Sequence, residues 1–200
     1  ITNSKLLSNK ANNGGAIYNN KPATLNIYTS QFNQNTADNN GGVTTNYGTL
    51  YIKSSNFNNN TATRGGVNYN YNKTTIIKST LQTNKATLNG GVIYNDHSNM
   101  TIINSSFSNN KAQYGGCIYN NNAKTFINSS YFSFNIAKRG GVLYNIHDTL
   151  IMNSTFKNNK ATENGGVIYN ERSAGTNIQY SNFYNNTALN YGGCIYNLGL

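Results

Sequence analysis

Negative charge is scarce in this chain of 200 residues: five Asp and Glu stand against fifteen Lys and Arg, for a net charge of +10. The five carboxylates, Asp38, Asp96, Asp148, Glu163 and Glu171, are dispersed, which leaves little material for a calcium cage or a glycosidase-type acid and base pair. Two cysteines, Cys117 and Cys194, are too few for a disulfide scaffold. Charged residues make up 10% and apolar residues 36%, both below the globular norm. No apolar run is long enough for a transmembrane helix, no secretory leader is visible, and no window keeps a 3.6-residue apolar period, so almost no helix is expected. Phosphate loops, zinc spacings and nucleophile elbows are also missing, and no cofactor is expected.

What the chain does have is a period. Gly-Gly pairs begin at Gly14, Gly41, Gly65, Gly90, Gly115, Gly140, Gly165 and Gly192, at spacings of 24 to 27 residues. A fixed period of this size marks a solenoid or array. Around the pairs runs a unit, I-x-x-S-x-F-x-x-N-x-A, then G-G-V-I-Y-N. Its Ile column (Ile1, Ile27, Ile52, Ile76, Ile102, Ile127, Ile151, Ile178) contains no polar residue. Neither does its Phe column (Leu6, Phe32, Phe57, Leu81, Phe107, Phe132, Phe156, Phe183). The Ser column (Ser4, Ser30, Ser55, Ser79, Ser105, Ser130, Ser154, Ser181) is unbroken. So is the Asn column: Asn9, Asn35, Asn60, Asn84, Asn110, Asn135, Asn159 and Asn186. Length varies only after Ala and after Tyr-Asn, which predicts turns at those two places.

Low hydrophobicity would argue disorder, yet 16 Tyr, 8 Phe and regularly placed Ile and Val argue against it. Each unit holds three short strand-compatible pieces, T-L-x-I, S-x-F-x-x-N-x-A and V-I-Y-N, none of which buries much alone. If each unit is one turn of a coil, every strand pairs in parallel with its equivalents about 4.8 Å above and below, and identical columns stack. The expected fold is therefore all-β, a right-handed parallel β-helix of about eight coils of 24–27 residues with three short strands per coil, residues 1–200 forming one segment. Buried Asn side chains stacked in a ladder can satisfy one another and the turn backbone. Alternation along V-I-Y predicts Val and Tyr inward and the residue between them outward, since Thr44 and Asn68 stand there in two units. A leucine-rich repeat has similar spacing and is the rival fold, but it needs an aliphatic residue where every unit has Ser, and a helical segment where this chain has Gly-Gly. With no polar capping repeat at either end, the segment is expected to be a slice of a longer repeat protein.

The pairing of F-x-x-N (FNQN at 32, FNNN at 57, FSNN at 107, FKNN at 156, FYNN at 183) with GGAIY at 14 resembles the repeats of polymorphic outer membrane proteins, chlamydial autotransporter adhesins. The resemblance spans essentially the whole chain. It implies a right-handed β-helix displayed outside the cell in an adhesive or scaffolding role. Val usually replaces Ala after Gly-Gly here, and a Tyr-Asn extension is nearly constant.

Function is read accordingly as a non-enzymatic extracellular or cell-surface structural or adhesive solenoid, part of a filament, stalk or adhesin. The alternative is a polysaccharide-binding or polysaccharide-cleaving β-helix, for which His97 beside Asp96 and His147 beside Asp148 are the candidates; both pairs also suit turns. Cys117 and Cys194 replace Val three coils apart, roughly 14 Å, beyond disulfide reach. They read as buried free thiols, an intermolecular bridge being the other reading. Lys10, Lys85, Lys111 and Lys160 share one column that should face outward, either a solvated stripe or a site for anionic polysaccharide or lipid headgroups. Nucleic acid is not expected, since no recognition motif accompanies the charge. Self-association, further repeats of the same protein and glycans are the expected partners. Asn59, Asn72, Asn99, Asn104, Asn128, Asn153 and Asn185 head N-glycosylation sequons, expected to coat one side of the rod if the source is secretory.

Overall fold

A computed structural model of the chain describes residues 1–199 and contains only strands, turns and bends. Every strand pairing is parallel and joins one coil to the next, giving a β-solenoid of eight turns. The helix that a leucine-rich horseshoe requires is absent from the described residues.

The coil that follows Gly65 shows the plan: Asn68–Asn70, Thr74–Ile77, Thr80–Gln82 and Lys85–Asn89. These stack into a Tyr sheet, an Ile sheet, a Phe sheet and an Ala sheet. The Ala sheet is interrupted at the coil of Lys111, where isolated bridges from Lys111 to Lys85 and Ile136 carry the pairing. Two strand pieces match those read from the sequence. The third is bent at its Asn, so that its Phe and Ala halves run in separate sheets.

The bends have a common chemistry. The residue before each column Ser, such as Lys78 (φ 48°) or Asn104 (φ 49°), and the residue before each column Asn, such as Thr83 (φ 57°) or Asn109 (φ 57°), is left-handed. That conformation is costly for bulky residues and mild for Asn, which is one reason the chain is so rich in Asn. The third corner belongs to Gly-Gly. Gly90 has φ +63°, and a Cβ on Gly91 would meet the carbonyl oxygen of Gly116 in the next coil at 2.0 Å. Only glycine lets the coils approach this closely.

Columns align in register: Ile76 pairs with Ile52 and Ile102, and Leu81 with Phe57 and Phe107. The buried core joins the Ile, Phe and Val columns. Phe32 stacks on Phe57 at 4.7 Å, and Phe107, Phe132, Phe156 and Phe183 follow one another at 4.8 to 4.9 Å. The fully buried rings of Phe32, Phe57, Phe107, Phe132 and Phe156 each contribute about 2–3 kcal/mol of burial.

Two expectations need correction. The residue after Val points inward, not outward: Ile93, Ile118, Leu143, Ile168 and even Thr44 and Asn68 are 0–1% exposed. The cause is in the backbone. The amides of Val92 and Ile93 both donate to the carbonyl of Cys117, as those of Val43 and Thr44 do to Val67, so alternation breaks and two successive side chains enter the core. Tyr then falls on the outer side of the strand, where its neighbours cover it to different degrees, from Tyr169 at 3% exposed to Tyr18 at 54%. The second correction concerns the variable stretch after Ala. It is a bulge within the Ala sheet, since register shifts between Ala62 and Arg64 opposite Ala86 and Asn89, so an extra residue is absorbed without breaking the ladder.

Candidate functional site

Four surfaces and columns could carry function: the buried polar ladders, the tyrosine stack, the basic column and the outer face of the Ile sheet.

The ladders come first because they fix everything outside them. Asn110 is fully buried. Its Nδ2 donates to the Leu81 carbonyl (2.9 Å) and to Asn135 Oδ1 (3.0 Å), while its Oδ1 accepts from the Asn84 amide (2.9 Å) and Asn84 Nδ2 (3.2 Å). The same pattern joins Asn9, Asn35, Asn60, Asn84, Asn135, Asn159 and Asn186. In the Ser column each hydroxyl donates to the carbonyl two residues back and accepts the amide of the previous coil, as Ser105 does for Ile103 and Ser79. A second Asn ladder, unassigned in the sequence reading, runs through the Tyr-Asn residues. Asn46 Nδ2 donates to Asn70 Oδ1 (2.8 Å), Asn70 to Asn95 (2.7 Å), Asn95 to Asn120 (3.0 Å), and so on to Asn197. Its unbroken column was the signal that could have found it.

Outside this second ladder stand Tyr69, Tyr94, Tyr119, Tyr144, Tyr169 and Tyr196, ring centroids 4.9 to 5.1 Å apart. Asp96 accepts from the Tyr69 hydroxyl (3.2 Å), Asn121 Nδ2 (2.8 Å) and His97 Nδ1 (2.6 Å), and Glu171 accepts from the Tyr144 hydroxyl. Arg139 lies over the rings of Tyr114 and Tyr169 and donates to Glu163 (2.7 Å). Burial first, then the neighbouring carboxylates and phenols, raise the pKa of Tyr69, Tyr94, Tyr119, Tyr144 and Tyr169; Tyr119 is pushed up to about 12. The Arg139 and Lys138 side chains hold the Glu163 carboxyl below its usual range.

The carboxylates therefore sit in separate turns, each with its own neighbours. Asp38 meets Lys10 (3.5 Å), and Asp148 lies 3.8 Å from His147. Among the described residues no three His, Cys, Asp or Glu side chains group where they could hold a metal. The structure does not bring the two His-Asp pairs together. Cys117 is buried with its thiol pKa pushed up by burial, and Cys194 is half-buried; both are free. Lys10, Lys85, Lys111 and Lys160 are exposed in one column of the Ala sheet. Of the sequon residues, Asn59, Asn99, Asn104, Asn153 and Asn185 are exposed, and Asn72 and Asn128 are partly so.

The outer face of the Ile sheet was invisible to the sequence reading. Between its strands and the turns that precede them lies a groove of about 610 Å³ crossing four coils. Phe126 and Leu150, both half-buried, line it between Thr101 and Asn177, while Asn99, Lys124 and Asp148 stand along the turn side. It has aromatic and aliphatic surface beside donors and acceptors of both signs.

Residues 153–171 match the model of the Chlamydia polymorphic membrane protein repeat. The matched stretch runs from the left-handed Asn153 through Ser154, Phe156, Asn159 and Gly165 to Glu171, most of one coil, from the Ser corner to the end of Tyr-Asn. Strand pairing sets the neighbouring coils in register with this repeat: Phe156 with Phe132 and Phe183, Ala161 with Ala137 and Ala188. The match thus covers the Phe, Ala and Tyr strands of one coil, and the Ile strand lies outside it. No curated protein and no solved structure matches the chain. Among the described residues no helix is long and apolar enough to cross a membrane.

Proposed function

We propose that this segment is a rigid, non-enzymatic spacer or adhesive element of a cell surface, exposed outside the cell within a stalk, filament or adhesin. The observation that carries the reading is the match of residues 153–171, most of one coil, to a membrane-protein repeat whose Phe and Ala columns the neighbouring coils continue in register. A rod whose coils contact only their neighbours suits this role, because coils can be added without redesigning a core. Eight coils give a length on the order of 40 Å. The absence of a catalytic step in this reading is supported by the dispersal of the five carboxylates, each with its own partner and four of the five partners in an adjacent coil. Of the fifteen cations, only Lys10, Lys138 and Arg139 form ion pairs with carboxylates among the described residues, so the rod meets anionic surfaces with most of its charge free. N-glycans on the outward sequon residues belong to the same reading.

The test is surface exposure followed by attachment. Antibodies raised against the chain should label intact source cells, and protease added outside should remove the epitope. Beads coated with the chain should adhere to target cells more than beads coated with a basic control protein. Labelling only after permeabilisation would overturn the surface assignment.

A further inference from the structure

The groove on the outer face of the Ile sheet exposes Phe126 and Leu150, which lie outside the buried core. It is not the outside of a single residue pocket: its lining comes from four successive coils, Asn99–Thr101, Lys124–Phe126, 148–150 and 175–177. The strands along it are held in register, Thr101 opposite Phe126 opposite Leu150 opposite Asn177. A site built this way repeats along the rod at about 4.8 Å, so a ligand that fills it is a linear polymer with a similar repeat.

Three polymers can be compared against the chemistry. An extended peptide gains affinity by adding to a sheet edge, but these strands lie inside the sheet with their amides and carbonyls already bonded to neighbouring coils. A phosphodiester strand needs a run of cations, and the lining offers Lys124 alone, one coil from the Asp148 carboxylate. An extended chain of hexoses has a residue length close to the coil spacing, an apolar C–H face for Phe126 and Leu150, and hydroxyls that both donate and accept. Asn99, Lys124, Asp148 and Asn177 supply those partners, about one per coil. Asp148, 62% exposed at its side chain and at the groove's edge, disfavours a uronic acid beside it.

We propose that this groove binds an uncharged oligosaccharide of about four hexose units lying along the rod axis, one unit per coil. The proposal rests on the adhesive reading and names its ligand class.

The test uses the whole chain made without N-glycans. Neutral tetrasaccharides of glucose, mannose and N-acetylglucosamine, their monosaccharides and matching uronic tetrasaccharides are titrated in by calorimetry and by amide NMR. At least one neutral tetrasaccharide is expected to bind about tenfold or more tighter than its monosaccharide and to shift amides of the four lining stretches. Phe126→Ala, which removes an outward ring, should weaken binding about tenfold, while Tyr131→Ala on the outer face of the Phe sheet should leave it unchanged. Urea midpoints of both variants show that the fold is retained, and Asp148→Ala serves if Phe126→Ala does not fold. Preference for uronic chains, binding insensitive to Phe126→Ala and Asp148→Ala, or no binding of any neutral tetrasaccharide overturns the proposal. If beads still adhere to cells while no oligosaccharide binds, the groove assignment fails and the adhesive reading stands; if neither is seen, both fail.

Discussion

Asn68 and Asn70 are two residues apart on one strand, both essentially buried, and their circumstances are opposite. Asn70 accepts from Asn46 (2.8 Å) and Thr74 (2.6 Å) and donates to Asn95 (2.7 Å). Asn68, in the position that is Ile93, Ile118, Leu143 and Ile168 in later coils, has no partner for either side-chain atom, and neither has the Thr44 hydroxyl beneath it. Asn68 nevertheless pairs in register with both Thr44 and Ile93. The coils that follow Gly41 and Gly65 thus carry polar defects in a column that is apolar from Gly90 to Gly165. The difference teaches that a residue's contribution is set by its column: the same amide stabilises where its neighbours above and below are also Asn, and costs stability where they are Thr and Ile.

The sharpest way to break the comparison is to break what both regions share. Gly91→Ala puts a methyl against the Gly116 carbonyl oxygen, and it should cost about 4 kcal/mol or more, or abolish folding, by urea denaturation. Next, the two asparagines should respond with opposite signs. Asn70→Ile should cost about 3 kcal/mol, because Asn46 Nδ2, Thr74 Oγ1 and Asn95 Oδ1 lose their partner. Asn68→Ile should raise stability by about 1–2 kcal/mol. Equal signs would show that burial, not column, decides.

Alkali probes the outer stack. In the folded chain the pKa values of Tyr119 and Tyr144 are raised above the ordinary 10, so their contribution is fully present below pH 10. It is lost as pH rises through the folded value, about 12 for Tyr119. Titration at 295 nm should show the stacked Tyr119 and Tyr144 ionising only with unfolding. The smallest effect belongs to the corner before the Asn column: Thr83→Asn, matching the left-handed Asn59 and Asn109 of adjacent coils, should gain about 0.5–1 kcal/mol by relieving a strained φ of 57°.

The comparison also shows what could be read in advance. Columns that are uniform in sequence, Ile, Phe, Ser and Asn, specified coil, register and ladder, because in a stack each residue's neighbours are its own equivalents. The orientation of Ile93 could not be read from alternation, because two amides share the Cys117 carbonyl and the period of two fails there. Thr44 and Asn68 then misled, being polar and yet inward. The groove escaped because Phe126 and Leu150 occupy a column that elsewhere holds Asn26, Tyr51, Thr75, Thr101 and Asn177, so no repeated letter marked it.

Register is the claim on which the ladders, the tyrosine stack and the groove all depend, and one distance tests it. Gln31 and Asn182 are exposed members of a single row, linked through Asn56, Thr80, Ser106, Tyr131 and Thr155. Spin labels at these two positions should give a single narrow distance distribution centred near about 29 Å, six coil steps, by pulsed electron paramagnetic resonance. A broad distribution, or a mean far from that value, would contradict the in-register solenoid.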